Sequence, residues 1–320
     1  MTVSVKEAAN YLKSQSDILI LTHVRPDGDT IGCAAALCHG LRFLGKTAYV
    51  LPNPQTIPLY NCYVEELLAP AEYHPSCVVS VDMAAPSLFP ENALPYLEQV
   101  DLAIDHHPSQ TFFAARTCLD ASRAACGELL YDLLCEMGAM VPEAATPLYV
   151  AIATDCGCFA YNNTTPNTHR IVASLMELGI PTAALNKRHF KTKSFTRLKL
   201  EKLLIDSIEL HEDGMIGIIS ISQDMMDSIG ATEQDADDMS AFIGQVEGVL
   251  IGATIRELQP GICKLSLRTD PTVLNASKTC ELLGGGGHAA AAGATMEGSM
   301  EHAKDLLLAA IHQTRHETAQ

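Results

Sequence analysis

Tryptophan is absent from this 320-residue chain, and Phe, Tyr and Trp together make up only 5% of it. So few aromatic rings argue against an extended stacking platform of the kind that grips long single strands. Positive charge is also scarce: 21 Lys and Arg stand against 38 Asp and Glu, a formal net charge of −17. Gripping long duplex DNA relies on many basic side chains that displace counterions from phosphates, and an acidic chain is poorly built for that. Long apolar runs are missing too, with no stretch of the roughly 18 residues that a membrane span needs. Residues 1–13 lack a basic start followed by an apolar core, so they read as a short amphipathic helix and not as a secretory signal. No Gly-x-Gly-x-x-Gly follows the first strand-like run, which removes a dinucleotide-dependent oxidoreductase.

Core material is not limiting, since 48% of the residues are apolar, and the length suggests two domains. Eleven cysteines are scattered through apolar runs, among them Cys33, Cys38, Cys77, Cys126 and Cys135. The Cys156-Gly157-Cys158 pair is too tightly spaced for a zinc knuckle. The set reads as reduced thiols of a cytoplasmic protein.

In the first half, short β-branched runs alternate with helical stretches. Strands are expected at 18–21, 48–51, 77–81 and 102–104, and helices at 30–44, 125–137, 146–153 and 167–178. Gly45 is placed to stop the first of these helices in a left-handed conformation. The strand runs are continuously apolar, as parallel strands covered on both faces require, so the fold class is α/β with helices on each side of a parallel sheet. The most basic stretch follows, with Lys191, Lys193, Arg197, Lys199 and Lys202 in a helical linker over 187–212. It is either a solvated connector face or a rim that attracts substrate. After Gly214 a smaller α+β domain is expected over 213–320. It has strand-like runs at 216–221, 249–255 and 262–267, an acidic loop at 233–238, and a glycine run, Gly284 to Gly287, ending at His288.

Four segments place acids or histidines at the ends of predicted elements: His23-Val24-Arg25-Pro26-Asp27-Gly28-Asp29, then Asp82, then Asp105-His106-His107, then Asp155. Taken singly, a strand-end Asp is most often a cap or turn residue, and a lone His is more often packed than ligating. Together and in order they converge on the edge where open α/β sheets bind ligands. Clustered carboxylates repel, so such an edge calls for cations. Mixed oxygen and imidazole donors suit Mn²⁺ better than Ca²⁺ or a thiolate-bound metal. There are donors enough for two ions, and a pair roughly 3.5–4 Å apart suits phosphoryl hydrolysis.

These motifs resemble those of the DHH phosphoesterase superfamily, and Ser266-Leu267-Arg268 with Gly284 to His288 and Ala291-Ala292-Gly293 resembles its associated C-terminal domain. The length, and Asn163-Thr164-Thr165-Pro166 after Phe159, are most similar to its bifunctional oligoribonucleases and phosphatases of 3′-phosphoadenosine 5′-phosphate. The resemblance implies a DHH catalytic domain over 1–186, a substrate-binding domain over 213–320 and a cleft between them. It implies one metal on His23, Asp27 and Asp82 and a second on Asp29, Asp82, His106 and Asp155, the pair being Mn²⁺ with Mg²⁺ or Co²⁺ as substitutes. Asp105 would support the site and His107 would contact the phosphate as catalytic groups. Arg268, Gly285, Gly286, Gly287 and His288 would hold the substrate's terminal phosphate or nucleotide. The partners implied are short RNA or DNA oligonucleotides or nucleotides, with no membrane and no long duplex DNA, and a homodimer is compatible with the resemblance. Ala289-Ala290 departs from the basic or polar pair the family usually carries after its glycine run, which bears on substrate affinity and not on the metal ligands. Pyrophosphate and linear or cyclic dinucleotides are the competing substrates, and a catalytically silent nucleotide-binding protein is the alternative from another class.

Overall fold

In the computed structural model, which describes residues 1–236, 239 and 242–318, Ser4 and Glu7 form a capping box that starts the first helix, Val5–Ser14 (α1). The chain then builds Ile18–Leu21 (β1), Gly28–Phe43 (α2), Ala48–Val50 (β2) and Pro58–Val64 (α3), and next Cys77–Val81 (β3), Val100–Asp105 (β4) and Arg116–Leu119 (β5). Cys126–Met137 (α4), Pro142–Asp155 (α5), Pro166–Glu177 (α6) and Thr182–Asn186 (α7) follow. These elements belong to the first of two compact units, Met1–Thr192 and Lys193–Gln320.

The first unit holds a five-stranded sheet in the order β2-β1-β3-β4-β5, and every neighbouring pair is parallel. Strands β1 and β3 are buried at every position, which explains their unbroken apolar sequences. Strand β5 is one more than the sequence reading contains. Its Arg-Thr-Cys-Leu is short, polar at one end and lies at the sheet edge, so it carries no apolar run to betray it. Pairing of Leu21 with Ser80 and of Val81 with Ile104 sets the carboxyl ends of β1, β3 and β4 level, so the chain leaves all three strands at one edge.

Helix α2 lies under that edge and packs on α5 through glycines. A Cβ at Gly28 would stand 2.3 Å from the Thr154 hydroxyl, and one at Gly32 would stand 2.3 Å from the Pro147 carbonyl and 2.8 Å from the Ala151 methyl. The close approach brings the N-terminus of α2 to the C-terminus of α5, where Asp155 ends the helix. Gly32→Ala is therefore expected to destabilise the fold by about 1–3 kcal/mol, the usual cost of overpacking, despite alanine's better helix propensity. Denaturant unfolding checks this, and a more stable variant would contradict the packing described. Gly45 ends this segment at φ 76°, as expected of a left-handed stop. Eight of the eleven cysteines are buried, and all are free thiols.

In the second unit the chain runs through Phe195–Asp206 (α8), Glu209–His211 (β6), Ile216–Ile221 (β7), Gln223–Ile229 (α9) and Glu233–Ala236 (α10). Asp237 and Asp238 of the acidic run fall outside the described residues. Ile251–Gln259 (β8), Ile262–Thr269 (β9), Ala276–Glu281 (α11), Gly286–Gly287 (β10), Ala291–Glu297 (β11) and Met300–Thr318 (α12) complete it. The mixed sheet runs β10-β11-β9-β8-β7-β6, with only β7 and β8 parallel. One face, with Ala253, Leu265, Leu267 and Ala294, packs with Ala303, Leu307 and Ile311 of α12. Among the described residues no helix is long and apolar enough to cross a membrane.

Candidate functional site

Past β1 the chain turns from Thr22 to Gly28. Asn53 clamps this turn, donating its amide to the Thr22 hydroxyl (3.0 Å) and the His23 carbonyl (2.9 Å). Asp27 closes it as the N-cap of α2, its Oδ1 accepting from the N–H groups of Asp29 (3.0 Å) and Thr30 (3.1 Å). Asp82 follows β3 directly at φ 55°, a left-handed backbone that Asp and Asn tolerate better than most side chains.

These loops bring His23, Asp27, Asp29, Asp82, His106, His107 and Asp155 together. His23 Nε2 lies 3.6 Å from Asp27 Oδ1 and 3.7 Å from Asp82 Oδ2. His106 Nε2 lies 3.5 Å from Asp82 Oδ1, 3.6 Å from Asp155 Oδ2 and 3.9 Å from Asp29 Oδ2. The Nδ1 atom of His23 faces the Val24 carbonyl at 2.9 Å and that of His106 faces the Arg123 carbonyl at 3.2 Å. Those carbonyls accept, so each Nδ1 carries a proton and each Nε2 is the nitrogen that faces the carboxylates. Asp82 is 3% exposed, and its Oδ1 is buried without a hydrogen-bond partner. A buried carboxylate oxygen is not left so without cost. The separations exceed hydrogen bonds, yet they suit a cation bonded at roughly 2.1 Å to a donor on either side. Three groups of donors lie within 4.8 Å of one another and could hold an ion: His23 with Asp27 and Asp82, Asp29 with His106 and Asp155, and Asp82 with His106 and His107. The residues therefore fit divalent cations.

Two acids do more than the sequence reveals. Asp29 Oδ2 accepts from the Cys126 N–H (2.7 Å), while its Oδ1 accepts from the Gly127 N–H (2.9 Å) and the Cys33 thiol (3.2 Å). Helix α4 starts at Ala125 with no side-chain cap from its own segment, so Asp29 supplies one from 97 residues away. Asp105 is fully buried, and its Oδ1 accepts from the backbone of His106 (2.8 Å) and His107 (3.3 Å) and from His107 Nδ1 (2.8 Å). Its Oδ2 accepts from Gln110 Nε2 (2.7 Å), which also donates to the Met83 carbonyl. Asp105 is thus occupied in aiming His107, and Gln110 in holding Asp105. Arg123, tied to Asp120 (2.8 Å) and Asp132 (2.6 Å), steadies the carbonyl that faces His106. Neither Gln110 nor Arg123 carries a signal in the sequence, because their partners are set by the fold and not by any local motif.

Crowding of carboxylates and imidazoles shifts their protonation. Burial and then the neighbouring Asp82, Asp155 and Asp27 push Asp29 well up. Burial pushes Asp155 up to about 6, with the Asp82 charge adding to it and His106 opposing. Burial opposes the charged form of His23, but its bonds to Asp27 and Asp82 prevail and raise it to about 10. The Asp105 hydrogen bond raises His107 to about 9. In the absence of cations this edge holds protons in their place.

In the second unit, Arg268 and Gly284 to Gly287 line one cavity of about 560 Å³ with Lys264, Ser266, Gly293 and Thr295. Glycine is required at Gly285, where a Cβ would stand 2.1 Å from the Gly293 carbonyl. His288, grouped with these residues from the sequence, is not among those lining the cavity. It closes the hairpin between β10 and β11 through paired backbone hydrogen bonds with Ala291.

Comparison with known proteins agrees with this arrangement. Residues 17–154 match the DHH family N-terminal domain, and residues 221–317 match the DHHA1 domain. The chain is 33% identical to the bifunctional oligoribonuclease and PAP phosphatase NrnA of Thermus thermophilus, over 95% of this chain and 92% of that one. It is 25% identical to the protein of the same description from Bacillus subtilis, over 87% and 89% of the two chains. A crystal structure of an exopolyphosphatase-related protein from Bacteroides fragilis superposes with a TM-score of 0.87 at 22% identity, covering 99% of this chain and 97% of that one. The last supports the fold alone. A DHH domain carrying the acid and histidine cluster, a DHHA1 domain following it in sequence and an end-to-end match to a relative at this identity place the chain in the DHH family of phosphoesterases.

Proposed function

We propose that this enzyme is a Mn²⁺-dependent cytoplasmic hydrolase that degrades short oligonucleotides to mononucleotides and converts 3′-phosphoadenosine 5′-phosphate to AMP. The observation that carries the proposal is Asp82, whose unpartnered buried oxygen sits among His23, His106 and His107 at 3.5–3.7 Å from its carboxylate. In this reading His23, Asp27 and Asp82 hold one ion, and Asp29, Asp82, His106 and Asp155 hold the other. Two such ions lower the pKa of water and neutralise the phosphate oxygens. His107, 41% exposed and held by Asp105 through Nδ1, keeps Nε2 to donate to the phosphate or to the leaving oxygen. Arg268 and the backbone of Gly285 to Gly287 bind the terminal phosphate, since guanidinium forks and glycine N–H groups both suit phosphate oxygens. An acidic protein can act on nucleic acid in this way because it grips a few phosphates and not a long backbone. The activities of the Thermus and Bacillus relatives support the substrate class.

Hydrolysis with Mn²⁺, with and without chelator, tests the reading on a 5′-phosphorylated dinucleotide, a long single strand, 3′-phosphoadenosine 5′-phosphate and pyrophosphate. Chelator-sensitive release of mononucleotide from the dinucleotide is expected, with the long strand much slower and phosphate released from 3′-phosphoadenosine 5′-phosphate. Hydrolysis of pyrophosphate alone would reassign the substrate. Silence on all four would leave a nucleotide-binding role.

A further inference from the structure

The mixed sheet of the second unit is covered unequally. Ile219 and Ile221 on its second face are covered by Leu200, Leu204, Met226 and Ile243, over β7 and β8. The rest of that face, over β9 and β11, is the floor of the 560 Å³ cavity. Alternation along the strands decides what stands there. Cys263, Leu265 and Leu267 of β9 turn into the core, so Lys264, Ser266 and Arg268 turn outward. Across from them on β11 stand Thr295, Gly293 and Ala291, in that order.

Among the described residues, Lys264 and Arg268 are the only charged ones lining the cavity, and no carboxylate lines it. In a chain of net charge −17 that is a local reversal of sign. Among the same residues neither cation has an ion-pair partner; the Arg268 guanidinium donates to the neighbouring Leu267 carbonyl at 3.1 Å. Four residues of strand separate their Cα atoms by roughly 13 Å. At that spacing the two side chains can take separate phosphates of one short oligonucleotide. The floor between them is small and polar, with the Ser266 and Thr295 hydroxyls and Gly293, and a Cβ at Gly286 would meet nothing within 4 Å.

We propose that Lys264 forms a second anion subsite in this cavity, so that the second unit engages two phosphates of the same short oligonucleotide and favours such ligands over mononucleotides. The proposal rests on the phosphoesterase reading above for the class of ligand. Its test is equilibrium binding of AMP and of 5′-phosphorylated di- and trinucleotides to the full chain in chelator, which prevents turnover. Lys264→Ala is expected to weaken the trinucleotide roughly tenfold, the loss of one charge-assisted contact. It should also reduce the salt dependence by roughly 0.7 in log–log slope. AMP binding should be unchanged and Lys264→Arg should restore the affinity. Arg268→Ala should weaken all three ligands. If Lys264→Ala leaves trinucleotide affinity and salt slope unchanged, or weakens AMP equally, the subsite is wrong while the Arg268 assignment stands. If Arg268→Ala also changes nothing, or the unaltered chain binds none of the three, the cavity is not the substrate site and both readings fall.

Discussion

Asp82→Asn is expected to lower turnover about 10³-fold or more, at the upper end of what removing one charge-stabilising group costs. Both proposed ions share this carboxylate, so the substitution removes a negative ligand from each. Asparagine is the informative replacement because the backbone at Asp82 stands at φ 55°, where alanine would add strain of its own. The same exchange removes one charge from a cluster in which Asp29 and Asp155 already hold their protons too tightly, with Asp82 contributing to both shifts. The exchange also takes a partner from His23 and a neighbouring charge from His107, so the metal-free variant should melt close to the metal-free parent, while the rise in melting temperature on adding Mn²⁺ should largely disappear. A variant that is inactive because it is misfolded would melt well below the parent in the absence of metal. Near-normal turnover with an undiminished response to Mn²⁺ would sink the shared-ligand assignment.

The site was far more legible in the sequence than the interactions that hold it. His23, Asp27, Asp82, Asp105, His106 and Asp155 announce themselves because each follows an element whose apolar run or helical pattern can be read locally. What those runs cannot show is the use made of each acid. Asp29 reads as a metal ligand, yet its oxygens also cap a helix that begins 97 residues later, an arrangement that exists only once α2 and α4 pack together. Gln110 carries no motif, and its importance lies in two hydrogen bonds made behind the sheet edge. Gly28 and Gly32 look like helix-weakening residues until α5 is seen against them. The family resemblance groups His288 with the glycines, while its backbone closes the hairpin and it is not among the residues lining their cavity. Lys264 carries no motif: alternation along β9 sets it on the same face as Arg268, but only the fold makes that part of the face the floor of a cavity. Local patterns reveal which elements form; long-range pairing decides which side chains share a surface.

The same crowding predicts an effect on stability that grows with pH. In the metal-free protein Asp155 has its folded pKa raised to about 6, so between about 4 and 6 the unfolded chain loses a proton that the folded one keeps, and stability falls as pH rises. Asp29 is shifted in the same direction. His23 and His107 are raised to about 10 and about 9, so the stability they contribute is complete below their unfolded value near 6.5 and is lost as pH climbs through 9 and 10. Asp29, Asp155 and the two histidines thus act with one sign in adjoining windows, and these four groups make the metal-free fold weaker at each step from about pH 4 to pH 10. Cation binding has the opposite dependence, because it needs carboxylates ionised and imidazole nitrogens free, and it releases the protons that took its place. The gap in melting temperature between Mn²⁺-loaded and metal-free protein should accordingly widen from pH 6 to pH 9. With free metal about a thousandfold above its dissociation constant, one ion contributes about 4 kcal/mol, enough to move the transition by several degrees. Calorimetric melts at both pH values, with and without chelator, check this. A gap that is constant or narrows with pH would mean that the cluster does not exchange protons for cations.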